Sequence, residues 1–265
     1  MKRKLYLVKL GGSLITNKKV PFKARPSVIE RLGREIKTAM TREKADLVIA
    51  HGSGSFGHTY ASKYLTHQGI VNKNSLKGLV LTADVAARIN RIVLKGMIAS
   101  SLKAVSFAPA SLIIAKGGKS NKVFLAPIKK SIELGLVPVV YGDIIFDSEK
   151  GFCIFSGEKI LNLIAKELKD NYNSVEIVYC TDTDGVYDKS GRTVRRIDKD
   201  KYNEIKTEIT GSKGYDVTGG MLHKVEESLK LAGKSGIKTL IVNGRRSGNL
   251  RKVLLGEKVV STIIR

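Results

Sequence analysis

The stretch DLVIAHGSGSFGH (46–58) sets a short apolar run against a loop of three glycines and two serines closed by His58. The run has the length and composition of a buried strand. The glycines after it let the chain turn tightly and bring backbone N–H groups close to a ligand. The first apolar segment, KLYLVKL (4–10), meets the same punctuation in GGS (11–13). In an open parallel sheet ligands gather at the carboxyl ends of the strands, where both loops would lie.

Outward from these two strands, helical and strand-like segments alternate. SVIERLGREIKTAM (27–40) reads as a helix opened by a capping box of Ser27 and Glu30. Residues 57–101 read as helical with an interruption near Gly69. Further strands are expected at 104–108, 136–142, 174–180 and 238–243. The alternation implies an α/β fold, a mostly parallel sheet covered by helices on both faces. Only DIIFDSEKGFCIF (143–155) breaks the period, with two apolar runs around DSEKG that read as an antiparallel hairpin. A lobe boundary falls near residue 155, giving 1–155 and 156–265. No flexible linker separates these lobes, so they are expected to share one sheet.

Composition narrows the partners. The 265 residues carry 47 Lys plus Arg against 24 Asp plus Glu, a net charge of +23, which calls for anionic partners. The basic residues are dispersed, aromatics are 6%, and no zinc-finger spacing or heptad zipper occurs. Phosphorylated small molecules therefore fit better than a specific nucleic acid. The apolar runs are too short to cross a bilayer and the N-terminus lacks the pattern of a signal peptide, so no membrane insertion and a cytoplasmic location are expected. Cys153 and Cys180 lie far apart in apolar stretches and read as buried thiols.

Four glycine-and-charge loops carry the chemistry. KLGGS (9–13) has Lys9 before its glycines and Lys18 after them, and matches neither the Walker A nor the dinucleotide pattern. In HGSGSFGH, His58 falls near the start of the next helix, where N–H groups and the helix dipole favour an anion; a structural helix cap is the other reading. CTDTDGVYD (180–188) gathers three aspartates around a turn glycine, either a solvated turn or a nucleotide or metal contact. DVTGGMLHKV (216–225) places Lys224 a little over one turn beyond Gly220, so both can face one phosphate.

In this order, VKLGGSLITNK (8–18), HGSGSFGH (51–58), TDTDGVYD (181–188) and DVTGGMLHK (216–224) resemble the amino acid kinase superfamily. Together with PVVYGDIIFD…GFCIFSGEKI (138–160), they are similar to its isopentenyl phosphate kinases. The resemblance implies a three-layer αβα sandwich and transfer of the ATP γ-phosphate to isopentenyl phosphate, in an alternative mevalonate route of isoprene biosynthesis typical of archaea. It implies Mg²⁺ bridging the ATP phosphates with no metal ligand from the protein itself, and a homodimer. By position, Lys9, Gly11, Gly12, Ser13 and Gly54 match contacts to ATP phosphates, Asp182 and Tyr187 the nucleotide, and Gly220 and Lys224 its phosphates. Gly52, Ser53, His58 and Gly157 match the acceptor site, and Lys18 matches a lysine reaching the transferred group. The first lobe would then bind the acceptor and the second ATP.

Two positions depart from the family pattern. Ser53 stands where relatives often have glycine, which requires a negative φ there. Glu158 and Lys159 stand where an Asp pair is expected, the first of which orients active-site lysines. Other readings are a kinase for another small acceptor such as fosfomycin, a non-catalytic nucleotide-binding member of the fold, or a nucleic-acid binder with steep salt dependence. A prenyl tail would need an apolar pocket, for which Leu76, Leu79, Val80 and Met97 are candidates, although such a stripe is more often plain core.

Overall fold

The computed structural model describes residues 3–209 and 220–265. In chain order the elements are β1 (Lys4–Leu10), α1 (Gly12–Ile15), α2 (Pro26–Arg42), β2 (Ala45–His51), α3 (Ser55–Lys63), α4 (Ser75–Ala99), β3 (Ala104–Ser106) and β4 (Ile113–Lys116). They continue with β5 (Lys119–Val123), α5 (Ala126–Glu133), β6 (Val137–Tyr141), β7 (Asp143–Asp147), β8 (Gly151–Phe155), α6 (Gly157–Leu168) and β9 (Ser174–Thr181). The last are β10 (Arg196–Ile197), α7 (Lys199–Ile209), α8 (Gly220–Ser235), β11 (Lys238–Asn243), α9 (Asn249–Leu254) and β12 (Ser261–Ile264).

Eight strands form one sheet in the order β10-β12-β11-β9-β1-β2-β6-β3, parallel except where β11 meets β12. Strand β1 is central, with Lys9 opposite Ala50 of β2 and Tyr179 of β9. From β1 the first half of the chain spreads to one edge and the second half to the other, so the switch point of the topology lies at β1. The sheet is continuous across both halves, as the missing linker implied.

Alternate residues of the central strands feed two cores, which makes the three layers. Tyr6, Val8 and Leu10 face Ile29, Leu32 and Ile36 of α2, Ile89 and Val93 of α4, and Leu250 of α9. Leu5 and Leu7 face the other side, where Ile160 and Ile164 of α6, Ile205 of α7 and Val225 of α8 pack. Cys153 and Cys180 are buried free thiols, and burial pushes them up to about 11 and about 12.

Four shorter strands form a second sheet, β5-β4-β7-β8. The expected hairpin is its antiparallel β7–β8 pair, with Ile145 opposite Cys153. The β4–β5 hairpin was not evident in the sequence, because β5 (KSNKV) is mostly exposed and has no apolar alternation. A distant residue organises its tip: the Asp147 carboxylate accepts N–H groups from Gly117 (3.1 Å), Gly118 (2.6 Å), Glu149 (2.9 Å) and Lys150 (3.0 Å).

Several local expectations need correction. Helix α2 begins at Pro26 with Arg25 at its N-cap and no side-chain cap, so Ser27 and Glu30 form no capping box. Proline's fixed φ and missing N–H suit the first helical position, and this moves the start ahead of Ser27. The 57–101 region divides into α3, a 3-10 turn at Thr66–Gln68, Gly69 at φ +85°, and α4. The third strand stops at Ser106, two residues short of its expected end. Leu76, Leu79, Val80 and Met97 do not line one pocket. Leu76 and Val80 are 60% and 63% exposed at one end of α4, while Met97 is fully buried at the other, roughly 30 Å along the helix.

Candidate active site

The loops after β1, β2 and β9 meet at the carboxyl end of the sheet. Gly11 donates its N–H to the Cys180 carbonyl at 2.8 Å, joining the ends of β1 and β9. A Cβ on Gly12 would stand 2.7 Å from the Gly54 nitrogen, and one on Gly52 would stand 3.2 Å from the Gly12 nitrogen. The first two glycine loops therefore pack backbone against backbone, and at Gly12 no side chain fits. Gly54 is also left-handed, at φ +52°. Thr16 ties the two loops together: its hydroxyl donates to the Gly12 carbonyl (2.7 Å) and accepts the Ser55 N–H (3.1 Å).

Ser53 is tolerated because, among the described residues, only Phe22, Leu65 and Ser101 combine positive φ with a side chain. Its hydroxyl donates to the Gly142 carbonyl at 3.0 Å, fixing the loop to the end of β6. The His51 carbonyl accepts the Gly142 N–H, and a Cβ on Gly157 would stand 2.7 Å from that same oxygen. The amino end of α6 thus approaches β2 with no space for a side chain at Gly157. Ser156 caps this helix by accepting the Lys159 N–H at 3.2 Å.

Two lysines from opposite halves of the chain converge on one carboxylate here. Lys9 Nζ donates to Glu158 Oε1 at 2.6 Å, and Lys224 Nζ stands 3.7 Å from the same oxygen. Lys224 Nζ also donates to the Gly220 carbonyl at 3.2 Å. Burial by itself would raise the Glu158 pKa, but Lys9 and Lys224 outweigh it and hold the carboxyl at about 2. Two cations against one anion leave the cluster net positive, beside the amino end of α6. Lys159 does not join it. Its Nζ donates to the Gly118 carbonyl at 3.0 Å and lies 4.6 Å from the Phe155 ring centroid, tying α6 to the β4–β5 hairpin.

The remaining sequence candidates are more peripheral. His58 is exposed in the first turns of α3, its backbone N–H bonded to the Gly54 carbonyl at 3.2 Å. Ser13 is partly buried in α1, and its carbonyl accepts from Arg25 at 3.4 Å. Lys18 is exposed in the turn after α1. Asp182 is 3.7 Å from Arg245, and the Tyr187 hydroxyl accepts the Asp184 N–H at 3.1 Å. Asp184 itself pairs with Arg246 at 2.6 Å and Asp188 with Arg192 at 3.5 Å, so all three clustered aspartates are held by arginines. Residues 216–219 of the DVTGG motif lie outside the described residues.

Sequence reasoning missed the groups that support these loops. His51 is fully buried, stacks on Tyr141 with ring centroids 5.7 Å apart, and reaches Asn90 Oδ1 through Nε2 at 3.1 Å. Burial lowers its pKa to about 4, so the ring is neutral at pH 7. Asp143 is pushed up to about 6 by burial, even though it accepts the Ile144 N–H at 2.8 Å. Asn162 accepts from the buried Tyr179 hydroxyl at 3.2 Å, and both line a small cavity with Glu158 and Lys224. The one visible signal was the His that closes β2, and the sequence reading passed over it for His58, which lies in α3.

A parallel sheet with glycine-cradled loops and convergent lysines at its switch point is a phosphate-handling architecture. The chain belongs to the Amino acid kinase family, which it matches over residues 4–243. Along nearly its whole length it is similar to isopentenyl phosphate kinases. It is 34% identical to that of Methanocaldococcus jannaschii, over 96% of each chain. It is also 34% identical to that of Methanothermobacter thermautotrophicus, over 98% of each. A solved isopentenyl phosphate kinase superposes with a TM-score of 0.81 at 32% identity, covering 98% of this chain and 100% of the other.

Proposed function

We propose that the protein transfers the γ-phosphoryl group of ATP to isopentenyl phosphate, giving isopentenyl diphosphate and ADP. The observation that carries this reading is the Lys9–Glu158–Lys224 cluster beside the two packed glycine loops, in a chain similar to isopentenyl phosphate kinases end to end.

A triphosphate fits the residues present. Backbone amides of Gly12 and Gly54 lie where side chains are excluded or absent, Gly11 turns the chain towards them with its own N–H on the Cys180 carbonyl, and Ser13, Lys9 and Lys224 add donors and positive charge. Asp182 and Tyr187 border the nucleoside, and Gly220 opens the helix that carries Lys224. Gly52, Ser53, Gly157 and His58 surround the acceptor phosphate, with Lys18 reaching the transferred group from its turn. In this assignment residues 1–155 bind the acceptor and 156–265 the nucleotide. Glu158 is already engaged by two lysines, so a Mg²⁺ would be held by the nucleotide's own oxygens, where it would neutralise phosphate charge. The protein is proposed to act as a cytoplasmic homodimer.

The chemistry suits a site without a general base. A phosphate monoester has a second pKa of about 6, so its attacking oxygen is already ionised near neutral pH. That oxygen bonds to the γ-phosphorus while the bond to the β–γ bridging oxygen breaks, and the electron pair leaves with ADP. The barrier is repulsion between two anions, which positioning and fixed positive charge lower. Lys9 and Lys224 supply that charge in fixed positions because Glu158 holds them. His58 donates to the acceptor phosphate and favours its extra tetrahedral oxygen over a carboxylate.

The test is ADP release with Mg-ATP against isopentenyl phosphate, dimethylallyl phosphate, fosfomycin, UMP and N-acetylglutamate. Turnover restricted to the prenyl phosphates is expected. Turnover only on another acceptor, or silence across the panel with ATP bound, would overturn the assignment.

A further inference from the structure

A second concentration of positive charge lies where α2 and α9 meet, on residues distinct from the lysine cluster. Helices α2 and α9 pack side by side on one face of the sheet, and a groove of about 460 Å³ opens where they meet. Its lining includes Arg31, Arg34, Glu35, Ser247, Arg251 and Lys252, and no lining side chain is apolar. None of these residues belongs to the catalytic cluster or the glycine loops.

The floor of the groove is built around a buried carboxylate. Glu35 accepts the backbone N–H groups of Leu250 (3.1 Å) and Arg251 (3.3 Å) and is paired with Arg31. Arg31 reaches on to the Gly244 carbonyl. Glu35 and Arg31 are therefore committed to holding α9 on α2, and the other cations are not neutralised by them. Arg34 is largely exposed and stands 3.8 Å from Glu30, a surface pair of little worth. The Arg251 Nε is buried yet makes no hydrogen bond among the described residues.

Four cations face one lining carboxylate. Such a field attracts an anion from solution, and guanidinium forks match phosphate oxygens in pairs. The volume lies in the range of small-ligand sites, and the wholly polar lining excludes an apolar tail from its floor. We propose that the α2–α9 groove binds a diphosphate group, two linked phosphoryl units seated between Arg34, Arg251 and Lys252. A double-helical nucleic acid would need a basic stripe extending beyond the groove, whereas the positive charge of this chain is dispersed.

Arginine modification by phenylglyoxal, mapped by mass spectrometry, tests the site without reference to turnover. Inorganic diphosphate is expected to protect Arg34 far better than inorganic monophosphate at equal concentration. Calorimetry of the R34E/K252E variant should show one fewer diphosphate bound per chain, with groove affinity lowered roughly tenfold or more. Turnover of ATP with its acceptor should be unchanged, which also shows that the variant is folded. Protection of Arg34 by ADP alone or by isopentenyl diphosphate alone would support the site and name a nucleotide or a prenyl source. Equal modification with and without diphosphate, or unchanged stoichiometry in the variant, would overturn the proposal. So would protection by duplex DNA but not by diphosphate. Arginine protection and diphosphate stoichiometry are read without the kinase assay, so either conclusion can fail alone.

Discussion

Replacing Glu158 by Gln keeps the shape of the side chain and removes the charge that two lysines share. Lys9 is only 6% exposed, so it would be left without a counter-ion in a largely dry setting. A carboxyl whose pKa falls from 4.5 to about 2 on folding contributes about 3 kcal/mol at neutral pH. That agrees with the 3–5 kcal/mol typical of removing one partner of a buried ion pair. For a chain of this size the loss corresponds to a Tm lower by about 6–12 °C. The sign with pH is definite, because the folded pKa is depressed. The stabilisation is complete above pH 4.5 and disappears as pH falls towards 2. Thermal or urea unfolding of both proteins at pH 7 and pH 3 reads this directly. The gap between them should be wide at pH 7 and should narrow at pH 3. A variant melting within a degree or two of the wild type at pH 7 would refute the argument. It would mean that Lys9 and Lys224 are solvated well enough to need no carboxylate.

Other expectations are shorter to state. His58→Ala should lower kcat/KM for the phosphate acceptor roughly a hundredfold while leaving the KM for ATP nearly unchanged, as loss of one transition-state donor would; near-normal turnover would make His58 a structural cap. Gly12→Ala should destabilise by about 1–3 kcal/mol and abolish ATP binding, since its Cβ would meet the Gly54 backbone at 2.7 Å; a melting scan with and without ATP checks both. His51, with a folded pKa of about 4 against an ordinary 6.5, should make the protein lose up to about 3 kcal/mol as pH falls from 6.5 to 4. Asn in its place should flatten that part of the pH–stability curve. Asp147→Ala should cost about 2 kcal/mol and free the β4–β5 hairpin, measured as faster amide exchange at Gly117 and Gly118.

The order of strands and helices was legible because periodicity and glycine punctuation are local properties. KLYLVKL, DLVIA, SVEIVYC and KTLIVN fold as the strands their sequences imply, and the loops after β1 and β2 face each other as parallel neighbours must. Where local signals compete, reading the sequence went astray. Ser27 carried a capping pattern, but Pro26 beside it was the stronger determinant of the helix start. The β5 strand has no pattern to read, since its conformation depends on a carboxylate some thirty residues away.

The site divides in the same way. Lys9, the glycines and Lys224 could be singled out because each follows a strand or opens a helix. That Lys9 and Glu158 make an ion pair across 149 residues could not be read from spacing, nor that Lys159 turns aside to the Gly118 carbonyl. The sequence by itself determined the alternating elements, the two glycine-ended strands and the excess of positive charge. Only the tertiary structure decided which lysines Glu158 holds, which His is buried beneath the loop, and where α2 and α9 enclose a basic groove. Backbone conformation responds to neighbouring residues, whereas an ion pair or a groove exists only once the sheet has brought distant segments within a few ångströms.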